Sequence, residues 1–172
     1  MEARKFYIET YGCQMNEADS ELVIGLLRGA NYQLTAIPEE ADLILINSCS
    51  VRENAEKRVI ARLAQFKSLK KKKPELLLGL IECVAQRNYD EILIENKFVD
   101  LVLSPDSYRN LPEYLNQEQM PIVDVNLSRT EVYDELIPSR NSAVNAWVSI
   151  MRGCNKFCTF CIVPYVRGRE RS

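Results

Sequence analysis

The sequence predicts an α/β protein with a parallel sheet and flanking helices, followed by a basic segment that carries three of its six cysteines. Five short strand-like segments alternate with amphipathic helical patterns over residues 1–125. Two of them, LILIN and LLLGLI, are apolar at nearly every position, as strands buried on both faces of a sheet are. Helices of this length between strands make right-handed crossovers, which gives a parallel sheet.

The predicted strands are residues 5–10, 43–47, 76–81, 99–103 and 122–125. The first helix is predicted from the apolar residues Leu22, Val23, Leu26, Leu27 and Ala30, and it closes at Gly29 and Asn31. The second opens with Ser50 as N-cap and Glu53 completing a capping box, and it stops before Pro74. Further helices are predicted over residues 85–95 and 108–116.

The chain divides by composition into three parts. Residues 1–125 form the predicted sheet domain, and the polar residues 126–142 have no clear period and are interpreted as a linker. Residues 143–151, AVNAWVSIM, are predicted as a new strand that leads into a basic loop. The last 30 residues carry a net charge of +4 within a chain of net charge -2, so the body of the protein is acidic.

Composition excludes several classes of protein. Hydrophobic residues make up 47% and charged residues 27%, which excludes a disordered chain. A membrane helix needs roughly 20 apolar residues, and the apolar runs here are much shorter. The start, MEARKFYIET, lacks the pattern of a signal peptide. We therefore expect a cytoplasmic protein with no membrane partner.

The six cysteines occur in a chain without histidine. The absence of histidine excludes Ser-His and Cys-His nucleophiles and every mixed Cys/His zinc site. Cysteines in a cytosolic protein are more often metal ligands or catalysts than disulfides.

The first cysteine group, Cys13, Cys49 and Cys83, follows three predicted strands. The carboxyl ends of parallel strands meet at one edge of the sheet, so we expect these thiols to converge closely enough to share one cluster. Three thiolates suit an iron–sulfur cluster with one open iron better than a four-ligand zinc site. The alternative is three buried cysteines that act as small hydrophobes.

The second cysteine group, Cys154, Cys158 and Cys161, lies within eight positions of the sequence RGCNKFCTFC. A loop of this size can place three thiolates around one face of a cubane cluster and leave the fourth iron for a substrate. The alternative is a zinc loop or a loop that binds no metal.

The CxxxCxxC spacing, with the aromatic Phe160 before the last cysteine, resembles the radical S-adenosylmethionine signature. Together, YGCQMN, INSCSVRENAE, ECVAQR and MRGCNKFCTFCIVPYVRGRERS closely resemble the methylthiotransferase family. The resemblance extends from Tyr7 to Ser172. It is closest to the branch that modifies isopentenyl-adenosine in tRNA.

The resemblance implies an N-terminal methylthiotransferase domain followed by the first strand and cluster loop of a truncated radical S-adenosylmethionine barrel. It implies two 4Fe-4S clusters: an auxiliary one on the first cysteine group, which carries the methylated sulfur, and one on the second, which cleaves S-adenosylmethionine reductively. The resulting radical would take hydrogen from carbon 2 of an isopentenylated adenosine beside the tRNA anticodon.

The resemblance also implies site residues and partners. Phe160 would lie on the adenine side of S-adenosylmethionine, and Arg167, Arg169 and Arg171 are candidate RNA contacts. The expected partners are tRNA and an electron donor protein, and the protein is expected to be a monomer. The rest of the barrel and an RNA-binding domain follow in full members of the family, so this piece alone is expected to be inactive.

Two alternatives stay open. The same cysteines occur in methylthiotransferases that act on a ribosomal protein or on threonylcarbamoyl-adenosine, and a non-catalytic iron–sulfur or zinc module would also need them. One departure from the family is Glu82, which stands before Cys83 where the family usually has glycine. We expect its side chain to crowd the cluster or to alter the dihedral angles of the turn.

Overall fold

A computed structural model describes residues 3–50, 53–140 and 144–172, and a six-stranded parallel sheet forms its centre. The strand order is β2-β1-β3-β4-β5-β6. The strands are β1 (Arg4–Tyr11), β2 (Tyr32–Leu34), β3 (Leu43–Ser48), β4 (Leu77–Ile81), β5 (Leu101–Leu103) and β6 (Ile122–Asp124). The predicted α/β class and the parallel sheet are confirmed.

The first four described helices connect strands, and the fifth follows the last strand and was not predicted from the sequence. The helices are α1 (Gln14–Gly29), α2 (Glu53–Lys72), α3 (Cys83–Glu95), α4 (Leu111–Tyr114) and α5 (Val163–Val166). The predicted helix over residues 108–116 is instead a 3-10 turn, Tyr108–Asn110, followed by the short α4. Pro112 has no N–H to donate to Tyr108, so a continuous α-helix through this position would lose a backbone hydrogen bond.

Side chains from both faces of the sheet form the core. In β3, Leu43 and Leu45 pack on the face covered by α1, and Ile44 and Ile46 pack on the face covered by α2 and α3. All four are buried. Successive side chains of β3 point to opposite faces of the sheet, and both faces are buried, so the strand is a continuous apolar run in the sequence.

The edge strand β2 was not predicted. It has three residues, of which only Tyr32 is buried, so it shows no alternation long enough to detect. It pairs in parallel with β1 after Asn31, which has a φ of 64°. The predicted capping box between Ser50 and Glu53 spans residues 51–52, which lie outside the described residues.

The predicted strand over residues 143–151 is wrong, because the described residues 144–151 form no strand. Val144, Val148 and Ile150 are 90%, 71% and 84% exposed. A strand needs a neighbour to pair its backbone groups, and no strand of the described chain lies beside this segment. Within residues 144–172, pairing is limited to one antiparallel bridge between Arg152 and Arg171.

The predicted linker packs onto the sheet domain instead of running free. Tyr133 is buried and stacks on Tyr108 with ring centroids 5.6 Å apart. Its hydroxyl accepts a hydrogen bond from the Tyr108 amide and donates one to the Pro105 carbonyl. The Ser139 amide then donates to the carbonyl of Glu21 in α1. The described part of the segment, residues 126–140, therefore follows the surface of the first domain.

None of the helices in the described part of the chain has the length and apolar character needed to span a membrane.

Gly79 in β4 gives a test of the packing between strands. A Cβ at this position would lie 2.6 Å from Leu45 Cδ2 and 3.3 Å from Leu101 Cβ, and both leucines are fully buried. We expect Gly79→Ala to lower the free energy of unfolding by about 1–3 kcal/mol in urea denaturation.

The control is Gly29→Ala at the end of α1, where a Cβ would meet nothing within 4 Å. This variant should leave the stability unchanged or raise it by up to about 1 kcal/mol. Equal effects of the two substitutions would contradict the packing described for β4.

Candidate functional site

The first cysteine group lies at the carboxyl edge of three adjacent strands. In the sheet register, Tyr11 at the end of β1 pairs with Ser48 at the end of β3, and Asn47 pairs with Ile81 at the end of β4. Cys49 directly follows β3, and Cys13 and Cys83 begin the turns into α1 and α3. The Cys49 amide donates to the Tyr11 carbonyl at 2.9 Å. All three cysteines are therefore at one edge, as the strand pattern predicts.

Cys13 is the exposed member of this group and the N-cap of α1. An interaction with the Cys49 thiol lowers the pKa of Cys13 to about 5. Hydrogen bonds from the amides of Asn16 and Met15 and the charge of Arg167 act in the same direction, against partial burial. The thiolate form is thus favoured at the N-terminus of a helix.

Two buried asparagines hold the start of α1 against the end of β3. The Asn16 side-chain carbonyl accepts a hydrogen bond from the backbone amide of Cys13 at 3.1 Å and lies 3.3 Å from the Cys13 sulfur. The side-chain nitrogen Nδ2 of Asn16 donates to Asn47 Oδ1 at 2.8 Å, and Nδ2 of Asn47 donates to Ser20 Oγ at 2.8 Å. Asn16 therefore acts as a cap residue of α1, and Asn47, which lies within β3 and not in a turn, holds Asn16 in place.

Cys83 is buried and faces the unusual residue before it. Glu82 has a φ of 83° and a ψ of -153°, a region that is essentially restricted to glycine. Its carboxylate accepts hydrogen bonds from the amide and from the thiol of Cys83, both at 2.9 Å. Burial, and then the charge of Glu82, raise the pKa of the Cys83 thiol. The turn keeps a glycine-type conformation although residue 82 carries a side chain, so the expectation that Glu82 alters its dihedral angles is wrong.

The residue types of the first cysteine group suit an iron–sulfur cluster, and its three members lie at one edge of the sheet. Within residues 3–50, 53–140 and 144–172, no three cysteine, aspartate or glutamate side chains are arranged to hold a metal ion. The three thiols share an edge beside two helix N-termini and the positive Arg167. Cysteine binds iron as the thiolate, so as a ligand Cys83 would have to lose the proton that it donates to Glu82.

The second cysteine group lies in an irregular loop. We call residues 152–172 the second cysteine loop. Cys158 is exposed, and Cys154 and Cys161 are half-buried. The Cys154 amide donates to the Gly168 carbonyl at 3.1 Å, which joins the two ends of the loop. Phe160 is 94% exposed, so its ring is open to solvent beside Cys161.

Three arginines attach the second cysteine loop to the carboxyl edge of the sheet. Asp19 of α1 pairs with Arg152 at 2.7 Å and with Arg167 at 3.0 Å. Arg167 also pairs with Glu82 at 2.5 Å. Farther along the edge, Arg171 pairs with Asp106 at 2.8 Å. All six of these side chains are buried.

These contacts change the interpretation of the three candidate RNA-binding arginines. The guanidinium groups of Arg167 and Arg171 face carboxylates inside the protein, so in this arrangement they do not reach an RNA. Arg169 is exposed and lies 4.3 Å from the centre of the Phe157 ring. We therefore keep Arg169 and drop Arg167 and Arg171 as candidate RNA contacts.

The sequence contained one signal for this docking. In α1 the polar residues Asn16, Asp19 and Ser20 continue the buried stripe of Val23, Ile24 and Leu27 at helical spacing. Polar residues on a buried face need partners. The partners could not be identified from the sequence, because Arg152 and Arg167 are 133 and 148 residues from Asp19 in the chain.

The two carboxyls that share Arg167 have opposite pKa shifts. Although burial opposes it, Arg152 and Arg167 lower the pKa of Asp19 to about 2. Burial raises the pKa of Glu82, the charge of Arg167 opposes this, and the neighbouring Asp19 adds to it. Asp19 is therefore the carboxyl of this pair that holds the negative charge more firmly.

Fold and site together define a parallel α/β domain with cysteines at the carboxyl edge of its sheet. The chain matches the profile of the uncharacterized protein family UPF0004 over residues 5–104, and it belongs to that family.

Curated relatives match nearly the whole chain. It is 50% identical to the tRNA-2-methylthio-N(6)-dimethylallyladenosine synthase of Bacteroides thetaiotaomicron, over 98% of this chain and 38% of that protein. It is 48% identical to the synthase of the same name from Phocaeicola vulgatus, over 99% of this chain and 38% of the relative. These names confirm the resemblance to the methylthiotransferase family. The chain spans about 38% of the length of these relatives.

We predict that the thiols of the first cysteine group differ widely in reactivity in the metal-free protein. Because its pKa is about 5, Cys13 should already be a thiolate at pH 6. Its alkylation by iodoacetamide should therefore rise less than about twofold between pH 6 and pH 8, whereas a thiol with a pKa of about 8.5 gains roughly tenfold per pH unit below that value.

Cys83 serves as the internal comparison, because its burial and raised pKa should leave it unmodified while Cys13 reacts fully. Mass spectrometry of the alkylated peptides over time measures both rates. Equal rates at Cys13 and Cys83 would contradict the described environments.

Proposed function

We propose that this chain is part of a tRNA methylthiotransferase that modifies carbon 2 of isopentenyl-adenosine beside the anticodon. One observation carries the proposal. The cysteines of the first group lie on adjacent strand ends, and the loop with the second group is held at the same edge of the sheet. A reaction that needs two metal centres near each other requires this kind of arrangement. The names of the relatives favour a tRNA substrate over a ribosomal protein.

The proposed ligands are the six cysteines. Cys154, Cys158 and Cys161 would hold one 4Fe-4S cluster together with S-adenosylmethionine, and Cys13, Cys49 and Cys83 would hold the auxiliary cluster. When bound, the clusters and S-adenosylmethionine supply the radical and sulfur chemistry of the reaction.

Other residues of the chain prepare these positions. Asn16 orients Cys13 by accepting a hydrogen bond from its backbone amide and by donating one from its own backbone N–H to the sulfur. Arg167 puts positive charge beside the first cysteine group, which favours its thiolates. Phe160 has an exposed ring that would stack on the adenine of S-adenosylmethionine. Arg169 would contact RNA phosphate.

The remaining parts of the proposal concern the whole protein. Its partners would be tRNA and an electron donor protein, and it would act in the cytoplasm as a monomer. Domain boundaries near residues 125 and 143 and the start of a barrel after them stay predictions. Because the chain spans about 38% of its relatives, we propose that activity needs the part of the protein that they share beyond it.

Metal analysis of cysteine variants tests the proposed ligands. The full-length protein, reconstituted without oxygen, should bind about eight irons, four for each cluster. Replacing Cys154, Cys158 and Cys161 with alanine should leave about four irons and abolish formation of 5'-deoxyadenosine, because the S-adenosylmethionine cluster is lost.

The matched variant replaces Cys13, Cys49 and Cys83 with alanine. It should also keep about four irons and should still form 5'-deoxyadenosine, but it should produce no methylthiolated tRNA. Formation of 5'-deoxyadenosine by the first variant would refute the ligand assignment. One zinc per chain and no iron would favour a non-catalytic metal module.

A further inference from the structure

One arginine links the two cysteine groups. Arg167 follows α5 in the second cysteine loop, and its two terminal nitrogens bind different carboxylates. Nη1 donates to Asp19 Oδ2 at 3.0 Å, and Nη2 donates to Glu82 Oε1 at 2.5 Å. Asp19 lies in the helix that Cys13 caps, and Glu82 directly precedes Cys83. A single side chain thus bridges two elements that carry the first cysteine group.

The burial of this bridge points to a role in geometry. The side chains of Arg167, Asp19 and Glu82 are 4%, 2% and 0% exposed. Buried ion pairs lose much of their attraction to desolvation, so stability alone is a weak reason for such a pair. A planar guanidinium that binds two acceptors at once has a defined direction relative to both. The contact therefore restricts where the loop lies on the sheet edge.

Glu82 makes the contact in spite of an unfavourable backbone conformation. Its φ of 83° and ψ of -153° suit glycine and disfavour any residue with a Cβ. Such a conformation persists where surrounding contacts determine it, and here the carboxylate binds both Arg167 and the Cys83 amide. A glycine at this position would remove the strain and also the second half of the bridge.

The remaining ion pairs of the loop offer a comparison. Asp106 lies beyond β5 and pairs with Arg171 at 2.8 Å, with both side chains at most 4% exposed. It resembles Glu82 in burial and in binding an arginine of the same loop. It differs because it adjoins no cysteine. Loss of Asp106 should weaken the attachment of the loop without releasing it from the first cysteine group.

We propose that Arg167 is a positioning residue, which sets the place of the second cysteine loop over the first cysteine group by binding Asp19 and Glu82 together. The inference deepens the proposed function and rests on it only in assuming that both groups hold clusters. The geometry itself is independent of metal and can be measured in the metal-free protein.

The test measures the distance between the two cysteine groups in the full-length metal-free protein. The exposed Cys13 and Cys158 carry nitroxide labels, and the other four cysteines of the two groups are changed to serine. Continuous-wave and pulsed EPR then give the distribution of distances between the labels. The labelled protein that retains Arg167, Glu82 and Asp106 should give one narrow distribution of distances.

Arg167→Lys keeps the positive charge but cannot bind Asp19 and Glu82 through a planar guanidinium. Glu82→Gly removes the carboxylate, and glycine adopts the φ and ψ of this position without strain. Both should broaden or shift the distance distribution, whereas Asp106→Asn should leave its centre and width unchanged. Thermal melts of all three variants separate this effect from general loss of stability. Unchanged distributions in Arg167→Lys and Glu82→Gly, or an equal change in Asp106→Asn, would overturn the proposal.

Iron analysis of the same three variants, with all cysteines restored, separates the two proposals. About eight irons together with an unchanged label distance in Arg167→Lys would support the proposed function and refute the positioning role. If the distance distribution is narrow with Arg167 and broad in Arg167→Lys, and the protein binds no iron, the positioning role is supported and the proposed function is refuted.

Discussion

The pairing of β1, β3 and β4 as neighbouring parallel strands is the constraint on which both cysteine groups depend. Neighbouring strands lie about 4.8 Å apart, so the residues that follow them meet at one edge. Cys13, Cys49 and Cys83 come together for this reason, although long helices separate them in the chain. The starts of α1 and α3 at the same edge add amide donors and a favourable dipole for thiolates.

The same edge also attracts the positively charged loop. A sheet edge that carries Asp19, Glu82 and Asp106 in buried positions needs cations, because isolated carboxylates cannot be removed from water at low cost. Arg152, Arg167 and Arg171 supply them from the second cysteine loop. The acidic first part of the chain and its basic end therefore bind each other through these buried ion pairs.

Glu82 shows how this contact affects a candidate ligand. Its carboxylate holds Arg167 on one side and the Cys83 thiol on the other. The residue that docks the loop thus also accepts a hydrogen bond from the third thiol of the first cysteine group. Glu82 therefore links the docking of the second cysteine loop to the surroundings of a candidate ligand.

Local pattern was sufficient for much of the fold. The apolar runs of β3 and β4 and the helical stripe of α1 bury a large fraction of their own side chains, so their periodicity is visible in the sequence. The placement of the first cysteine group followed from these strands. The short strand β2 and the interruption of the helix at Pro112 involve too few residues to give such a pattern.

The apolar sequence of residues 143–151 was misleading, because β propensity alone does not provide a neighbour to pair with. Residue types and spacing thus determined the α/β class, five of the six strands of the sheet and the two sets of candidate ligands. Tertiary structure alone decided the φ of Glu82, the orientation of Cys83 and the burial of Arg167 and Arg171. Those features depend on ion pairs between residues far apart in the chain, whose partners are selected only when the sheet edge has formed.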